Sequence, residues 1–258
     1  MNTDCYNESN PFYRTALLLG ADTVEGLRRA RVRVFGVGGV GSWCVEALAR
    51  AGVGHITVVD SDTVAFSNIN RQLVADHTTL SQLKVDVMSH RIHAVSPDCR
   101  VHAYAGVYSA ETASQFCLDD YDVVVDAIDS LAPKAHLILA ATRCRRARLV
   151  SSMGAALKTD ILQISTAEFW QVRGCPLARA LRDRFKRSGE RPARKFKCVY
   201  SPQLVANKPV PCGDDISQPV QTANGRKRVN GTLVTTTAAF GLVLAQLAIE
   251  AIAARSGD

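Results

Sequence analysis

The chain has few of the features that mark a protein held together by disulfides or zinc. It has eight cysteines in 258 residues, and no two of them are spaced as C-x-x-C. A zinc ribbon needs close pairs of thiolates, so a structural zinc site of that kind is not expected. Widely spaced cysteines in a chain of this length are typical of reduced, mostly buried thiols rather than of a disulfide framework.

The chain also has little that indicates export or membrane insertion. Its first residues, MNTDCYNESNPFYR, have no apolar core and do not match a signal peptide, so a reducing cytoplasm is the expected compartment. One long stretch, residues 229–249, carries no charge, but it contains four threonines together with Asn230 and Gln246. A spanning helix needs about 20 predominantly apolar residues. This polar content favours a buried C-terminal helix over a membrane span, and membrane contact is not expected.

Acidic residues are the scarcer charge, with 24 Asp and Glu against 31 Lys and Arg, for a net charge of +7. Residues 173–197 hold ten basic residues and two acidic ones, an excess larger than that of the whole chain. Clustered cations bind a phosphate backbone through counterion release. The alternative is the solvated face of an ordinary helix. The candidate phosphate-contacting residues are Arg179, Arg182, Arg184, Lys186, Arg187, Arg194, Lys195 and Lys197.

Short β-branched runs alternate with helical patterns along the first 156 residues. Strands are predicted at 32–35, 55–60, 101–105, 121–128 and 149–151, and helices at 42–52, about 83–95 and about 133–146. Alternation of this kind implies parallel strands joined by right-handed crossovers. The sequence therefore predicts an α/β fold with a Rossmann-like, mostly parallel sheet covered by helices on both faces, followed by a basic C-terminal extension.

A glycine-rich turn follows the first predicted strand and opens a helix. Glycines at this place let the backbone approach a phosphate closely, and the N–H groups at the helix start favour the anion. Asp60, at the end of the next strand, can accept hydrogen bonds from ribose hydroxyls. NAD and ATP both fit this pattern. The loop glycines are Gly36, Gly38, Gly39 and Gly41.

Three charged residues favour nucleotidyl transfer over hydride transfer. Arg71 and Lys84 lie downstream of the glycine loop, where cations would stabilise charge on an α-phosphate and on leaving pyrophosphate. Each alone could be an ordinary surface cation. Asp129 comes just after the apolar strand at 121–128 and could hold Mg²⁺ bridging phosphates. Asp126, inside that strand, is predicted to have a structural role.

These motifs resemble the ubiquitin-activating-enzyme-like superfamily of the ThiF/MoeB type. Within it, the chain is most similar to the group of tRNA threonylcarbamoyladenosine dehydratases, on the residues at 151–160, 168–182 and 195–201. The resemblance runs from about residue 12 to the C-terminus. The superfamily motifs are RTALLLG (14–20), GVGGVGSW (36–43), VVDSDTV (58–64), SNINRQ (67–72), Lys84 and DAIDS (126–130).

The resemblance implies an enzyme that uses ATP to dehydrate N6-threonylcarbamoyladenosine in tRNA. Asn68, Arg71 and Lys84 would hold the triphosphate, Asp129 would position Mg²⁺, and a monovalent cation could be a further cofactor. Arg14 would reach the phosphates across a homodimer interface, with a mobile N-terminal arm as the alternative. The basic residues of 173–197 would face the tRNA. The implied regions are an N-terminal arm (1–27), an ATP-binding Rossmann-like domain (28–156), and a C-terminal region (157–258) with a loop or flap at 202–231 and a terminal helix.

Three other functions share parts of this pattern. An adenylyltransferase for a ubiquitin-like sulfur carrier begins with the same chemistry, so the glycine loop does not separate the two. An NAD-dependent oxidoreductase shares the first strand–turn–helix but needs neither Arg71 nor Lys84. A non-catalytic RNA-docking scaffold would not need the set of Arg71, Lys84 and Asp129. Trp170 and Phe169 could stack on an unpaired base, although core packing is expected for at least one of them.

Overall fold

A computed structural model describes residues 7–209, 220–222, 225–227 and 229–256. Two short helices precede the first strand, and strands and helices then alternate. The helices are α1 (Tyr13–Leu19), α2 (Ala21–Arg29), α3 (Gly41–Arg50), α4 (Lys84–Val95), α5 (Leu131–Arg143), α6 (Pro176–Ser188) and α7 (Val234–Ser256). The strands are β1 (Arg31–Phe35), β2 (His55–Val59), β3 (Arg100–Tyr104), β4 (Val123–Asp126), β5 (Arg148–Ser152), β6 (Ser165–Glu168), β7 (Lys197–Tyr200), β8 (Val220–Thr222) and β9 (Gly225–Lys227).

Seven of these strands form one sheet in the order β3-β2-β1-β4-β5-β7-β6. All neighbours in it are parallel except β6, which runs antiparallel to β7 at the edge. The predicted α/β fold with a mostly parallel sheet is confirmed. From β1 the chain builds the sheet outward on one side through β2 and β3. It then returns to the other side of β1 with β4 and continues outward through β5. This reversal between β1 and β4 is where open parallel sheets bind ligands, beyond the carboxyl ends of the strands.

Helices cover both faces of the sheet, and nearly every residue of its central strands is apolar. Alternate residues point to opposite faces: Val123 and Val125 enter one hydrophobic cluster with α3, α4 and α7, whereas Val124 enters the other with α5 and α6. Phe169 belongs to this second cluster and has no exposed surface, so the prediction that at least one of Phe169 and Trp170 packs in the core is confirmed.

Helix α7 is, among the described residues, the one helix long and apolar enough to cross a membrane. It packs against α2, α3 and three strands of the sheet, and its Phe240, Leu244 and Ala248 have no exposed surface. This placement agrees with the predicted buried C-terminal helix. The opposite side of the helix includes Leu242, which is half exposed.

Two predicted regions differ in detail from the structure. Helix α2 runs through the domain boundary predicted at residue 27, and its Val24 and Leu27 are buried in the core. Residues 202–209 form the irregular start of the predicted flap at 202–231, but the antiparallel pair β8–β9 interrupts the loop. Residues 210–219, 223–224 and 228 of that flap lie outside the described residues.

Candidate functional site

The glycine loop connects β1 to α3 at the carboxyl edge of the sheet. Gly36 has φ +90°, and a Cβ there would lie 2.8 Å from the carbonyl oxygen of Ala127. A Cβ on Gly41 would lie 1.8 Å from the carbonyl oxygen of Gly36. These two glycines therefore let the turn close against itself and against the end of β4. A Cβ on Gly39 would lie 3.3 Å from the side chain of Arg71, whereas one on Gly38 would meet no atom closer than 3.9 Å. The open side of the loop is therefore at Gly38.

The start of α3 follows directly after this open side of the loop. The residue before the helix, Val40, makes no side-chain capping hydrogen bond. Ser42 fixes the loop from within the first turn, because its hydroxyl donates to the carbonyl oxygen of Gly38 at 2.7 Å and accepts from the N–H of Leu73 at 3.1 Å. The uncapped amino end of a helix, with its partial positive charge, is a binding place for an anion such as phosphate.

Asp60 extends from the end of β2 to the glycine loop. One of its carboxylate oxygens accepts from the N–H of Val37 at 2.7 Å, and the other accepts from the N–H of Asp62 at 2.9 Å. Each carboxylate oxygen can accept a second hydrogen bond. Asp60 thus orients the loop, and its binding of ribose stays a prediction.

Arg71 lies directly beside the loop. An ideal Cβ on Gly39 would be 3.3 Å from its Cγ, and its guanidinium donates to the carbonyl oxygen of Ser67 and to the side chain of Asn70. Burial lowers the pKa of Arg71, and the negative charge of Asp129 opposes that shift. The charge of Asp129 therefore acts on Arg71, although the two residues are 58 positions apart in the sequence.

Asn68 and Lys84 complete the group predicted to hold a triphosphate. Asn68 is buried, and its side-chain oxygen accepts from the N–H of Ala65 at 3.1 Å, so it holds the turn that carries Arg71. Lys84 is buried at the first position of α4, and its ammonium lies 2.9 Å from the carboxylate of Asp62. A short antiparallel bridge between Thr63 and Leu83 brings the two together.

Asp62 is a residue that the sequence reasoning missed. It lies in the motif that supplied Asp60, and its spacing of two from Asp60 was the available signal. The pairing with Lys84 depends on the chain returning after about 20 intervening residues, which local pattern does not reveal.

Asp126 and Asp129 have different surroundings, as predicted. Asp126 has no exposed surface and pairs with the ammonium of Lys134 at 2.7 Å, whereas Asp129 is exposed at the carboxyl edge. No cluster of three or more His, Cys, Asp or Glu side chains suited to a metal occurs in the described part of the chain. Mg²⁺ is usually held by one or two carboxylates together with substrate phosphates and water. Asp129, a single carboxylate at the same edge of the sheet as the glycine loop, fits that requirement.

Arg14 is not gathered with these residues in one protomer. It is exposed on α1, a helix with no buried residue. The preceding Phe12 packs against Gly52, which comes just before β2 and therefore lies at the amino edge of the sheet. The glycine loop is at the opposite edge. Any contact of Arg14 with nucleotide phosphates would have to come from another copy of the chain.

The basic segment separates into residues with structural partners and residues that face solvent. Arg182 donates to the carbonyl oxygens of Phe169 and Val172, and Arg194 donates to those of Thr142 and Ala147. Lys195 and Lys197 are exposed, but they lie at the start of β7, on the amino edge. The exposed basic residues on α6 are Arg179, Arg184, Lys186 and Arg187.

Helix α6 begins near the carboxyl edge and carries this basic face away from it. Gly174, just before the helix, packs against Pro202, which follows the end of β7. At the other end of the helix, the side chain of Glu190 pairs with Arg143 at the end of α5. Trp170 is partly exposed, and the guanidinium of Arg191 lies 5.9 Å from the centre of its ring.

Comparisons with known proteins agree on one family. The ThiF family model matches residues 12–257. The tRNA threonylcarbamoyladenosine dehydratase of Escherichia coli is 35% identical over 95% of this chain and 94% of its own length. The enzyme of the same name from Haemophilus influenzae is 36% identical over 89% of this chain and 88% of its own length.

A solved structure extends the similarity to the whole fold. The crystal structure of the E. coli tRNA N6-threonylcarbamoyladenosine dehydratase in complex with ATP is similar with a TM-score of 0.81 and 31% identity, over 96% of this chain and 95% of that one. A complex of the same enzyme with AMP also has a TM-score of 0.81.

Proposed function

The chain belongs to the ThiF family, and from this premise we propose that it is an ATP-dependent enzyme that dehydrates N6-threonylcarbamoyladenosine in tRNA. The observation that carries the proposal is a glycine loop with Arg71 beside it and with the charge of Asp129 acting on that arginine, in a chain similar over nearly its whole length to enzymes of that name. Lys84 is linked to the loop through two carboxylates, because it pairs with Asp62, whose N–H donates to Asp60. A hydride-transferring enzyme has no need of such a set, and a scaffold has no need to keep it. We expect an enzyme with this substrate to act in the cytoplasm.

The reaction is an adenylation followed by a ring closure. An oxygen of the threonyl carboxylate attacks the α-phosphate of ATP, and pyrophosphate leaves. The carbamoyl group of the same nucleoside then attacks the activated carbonyl carbon and gives up one proton to water, and AMP leaves with the former carboxylate oxygen. The net change in the nucleoside is the loss of one water. Because nucleophile and electrophile are in one molecule, proximity is built into the substrate and no enzyme nucleophile is required.

The residues at the loop supply binding and charge stabilisation. The N–H groups of Gly38 and Gly39 and the start of α3 hold phosphate oxygens, and Asp60 binds the ribose. Arg71 and Lys84 stabilise the negative charge that grows on the α-phosphate and on pyrophosphate. Lys84 is held by Asp62, which orients its ammonium before ATP binds. Asp129 would hold Mg²⁺, whose chemistry is to neutralise the phosphates. A requirement for a monovalent cation stays a prediction.

A homodimer would complete the site with Arg14. Helix α1 exposes three consecutive leucines, of which Leu18 is 82% exposed, and such a patch favours contact with another protein surface. We infer that α1 packs on a second copy and extends Arg14 toward that copy's phosphates. Mixing Arg14→Ala protein with Arg71→Ala protein should then restore part of the activity, because one site of each mixed dimer retains both arginines. If Arg14→Ala and Arg71→Ala were each inactive and stayed inactive after mixing, a site shared between two copies of the chain would be contradicted.

The substrate tRNA would lie along α6, whose exposed cations lead away from the carboxyl edge. Arg179, near the start of the helix, is closest to the glycine loop side, and Arg184, Lys186 and Arg187 continue the surface. Arg182 and Arg194 are omitted from this tRNA-binding surface because their guanidinium groups are bonded to the main chain.

The function is tested on the modified nucleoside itself. The protein is incubated with ATP, Mg²⁺ and tRNA that carries threonylcarbamoyladenosine, and the digested nucleosides are weighed by mass spectrometry. A loss of one water that depends on ATP is the expected result, with tRNA lacking the modification as the control. An unchanged nucleoside, with pyrophosphate exchange only when a ubiquitin-like carrier is added, would instead assign the chain to sulfur-carrier activation.

The same assay tests the assignment of Arg71. Arg71→Ala should lower the rate of dehydration by about 100-fold or more, which is the usual effect of removing one preorganised charge-stabilising group. Arg50→Ala is a suitable control, because Arg50 is a surface arginine at the far end of α3. Full activity of Arg71→Ala would contradict its placement at the phosphates.

A further inference from the structure

Gln72 is a buried polar residue beside the glycine loop whose side chain has no structural explanation. It is 7% exposed. Its Oε1 atom is fully buried and has no hydrogen-bond donor among the described residues. Buried amides are nearly always paired in native proteins, so an unpaired one in a folded chain needs a reason. The usual reasons are a bound ligand, an ordered water or a catalytic role.

The backbone on both sides holds this amide in place. The N–H of Gln72 donates to the carbonyl oxygen of Asn68 at 3.0 Å, and its own carbonyl oxygen accepts from the N–H of Ala75 at 3.0 Å. Arg71 before it is held by Trp43, whose indole N–H donates to the Arg71 carbonyl oxygen at 3.1 Å. Leu73 after it is held by Ser42. Gln72 is therefore fixed between two residues that are themselves tied to the first turn of α3.

The amide is directed at the open side of the loop. The nearest atom to an ideal Cβ on Gly38 is Nε2 of Gln72, at 3.9 Å. Gly38 is the loop glycine with the most free space around it. A Cβ on Gly36 or on Gly41 would lie within 3 Å of backbone atoms. The NH₂ group of Gln72 thus borders the space that a phosphate would enter over the loop.

We propose that Gln72 is a further ATP-binding residue, whose amide NH₂ donates to a phosphate oxygen held over Gly38. This inference rests on the proposed use of ATP. An amide gives a hydrogen bond without adding charge, so it positions the phosphate without competing with Arg71 for Asp129. With the NH₂ group on the side of Gly38, the buried Oε1 stays free to accept a hydrogen bond from an ordered water or from another donor that enters with the nucleotide.

The decisive variant is Gln72→Met, which keeps the length of the side chain and removes its hydrogen bonds. Replacing an unpaired buried polar group by an apolar one of similar shape is neutral or stabilising for the fold. The thermal midpoint of the free protein should therefore stay the same or rise. The dissociation constant for ATP, measured by calorimetry in Mg²⁺ buffer, should increase about tenfold, the effect of losing one hydrogen bond to a charged group. The affinity for adenosine, which has no phosphate, should stay within about twofold of the wild-type value.

Two further variants separate binding from packing. Gln72→Glu puts a carboxylate beside the phosphates and should weaken ATP binding more than Gln72→Met does, again with little effect on adenosine. Gln246→Met is the matched control, because Gln246 is exposed on α7 and bonds only to Glu250 among the described residues. It should change neither affinity.

Each outcome decides the question. If Gln72→Met bound ATP within about twofold of the wild-type affinity, the assignment would be wrong. It would also be wrong if the variant had a lower thermal midpoint but the same ratio of ATP to adenosine affinity as wild type, because Gln72 would then be a structural residue. A wild-type protein that binds adenosine and ATP equally would overturn this inference together with the proposed function. If the wild-type protein preferred ATP to adenosine and Gln72→Met kept the same preference, only this inference would be overturned.

Discussion

The ammonium of Lys134 lies 2.7 Å from the carboxylate of Asp126, and neither side chain has any exposed surface. The same ammonium donates to the carbonyl oxygen of Ile128 at 3.1 Å, and Asp126 also accepts from the hydroxyl of Ser151 at 2.7 Å. The pair therefore fixes the turn that connects β4 to Asp129. That turn also carries the Ala127 carbonyl against which Gly36 closes, so one buried ion pair supports both sides of the site.

Removing one partner of this pair should destabilise the protein strongly. Lys134→Met leaves a buried carboxylate without its counter-charge, and the expected loss in the free energy of unfolding is about 3–5 kcal/mol. Urea denaturation followed by circular dichroism measures it. The double variant Asp126→Asn with Lys134→Met removes both charges and should recover part of the loss. A double variant as unstable as the sum of the two single ones would contradict the coupling.

A second ion pair links α3, which follows the glycine loop, with α4, which begins at Lys84. Glu46 on α3 accepts two hydrogen bonds from Arg91 on α4, at 2.8 and 2.9 Å, and one from Arg50. Burial acts to raise the pKa of Glu46, but the hydrogen bonds and charges of the two arginines outweigh it, and the pKa is lowered. The folded protein therefore holds this carboxylate ionised more strongly than the unfolded chain does.

Glu46 should for that reason stabilise the fold at neutral pH and lose its effect in acid. Its contribution is fully present above the unfolded pKa of about 4.3 and is lost as pH falls through the lower folded value. Glu46→Gln should cost about 1–2 kcal/mol at neutral pH, and the difference from wild type should shrink as the unfolding measurements are carried below about pH 4. A difference that stays constant with pH would show that packing, and not ionisation, gives Glu46 its effect.

The regular elements of this chain could be predicted because each has a local cause. The apolar run at 121–128 contains β4, and the glycine turn before residue 42 marks the start of α3 within one residue. Asp62 and Gln72 could not be assigned in the same way. Asp62 acquires its role only when Lys84 returns to it, and Gln72 only when the chain after β2 folds back on the glycine loop. These pairings join distant segments, which neither periodicity nor spacing specifies.

The same limit applies to the basic segment, and it gives a prediction about tRNA binding. The distribution of charge along the sequence does not distinguish Arg184 from Arg194. In the structure, Arg184 is exposed on α6, whereas the guanidinium of Arg194 donates to main-chain carbonyl oxygens. Arg184→Ala should weaken tRNA binding and reduce the slope of log affinity against log salt concentration by about 0.7–0.9, because the variant neutralises one phosphate fewer. Its free energy of unfolding should not change. Filter binding over a salt series measures the slope.

Arg194→Ala should behave in the opposite way. Carbonyl oxygens near the end of α5 and before β5 would be left without a charged donor, which should cost about 1–3 kcal/mol of stability. The salt dependence of tRNA binding by the folded protein should match that of wild type. If Arg194→Ala lowered the salt slope and left stability intact, its guanidinium would have to leave the main chain and bind phosphate.

The glycines of the loop allow binding and folding to be separated at neighbouring positions. A Cβ on Gly41 would lie 1.8 Å from the carbonyl oxygen of Gly36, and only a shift of backbone can relieve so close an approach. Gly41→Ala should therefore lower the free energy of unfolding by about 3 kcal/mol. A Cβ on Gly38 would meet no atom closer than 3.9 Å, so Gly38→Ala should fold as wild type does.

Gly38→Ala should nevertheless bind ATP less tightly, because its methyl group would stand where the backbone must approach a phosphate. Calorimetry should show a weaker affinity for ATP and an unchanged affinity for adenosine, while urea denaturation shows unchanged stability. Gly189→Ala controls for the general effect of the substitution, since a Cβ there meets no atom within 4 Å, although its φ of +72° makes that variant less stable. Wild-type ATP affinity in Gly38→Ala would mean that the phosphates are held by α3 and Arg71 without close approach to this residue.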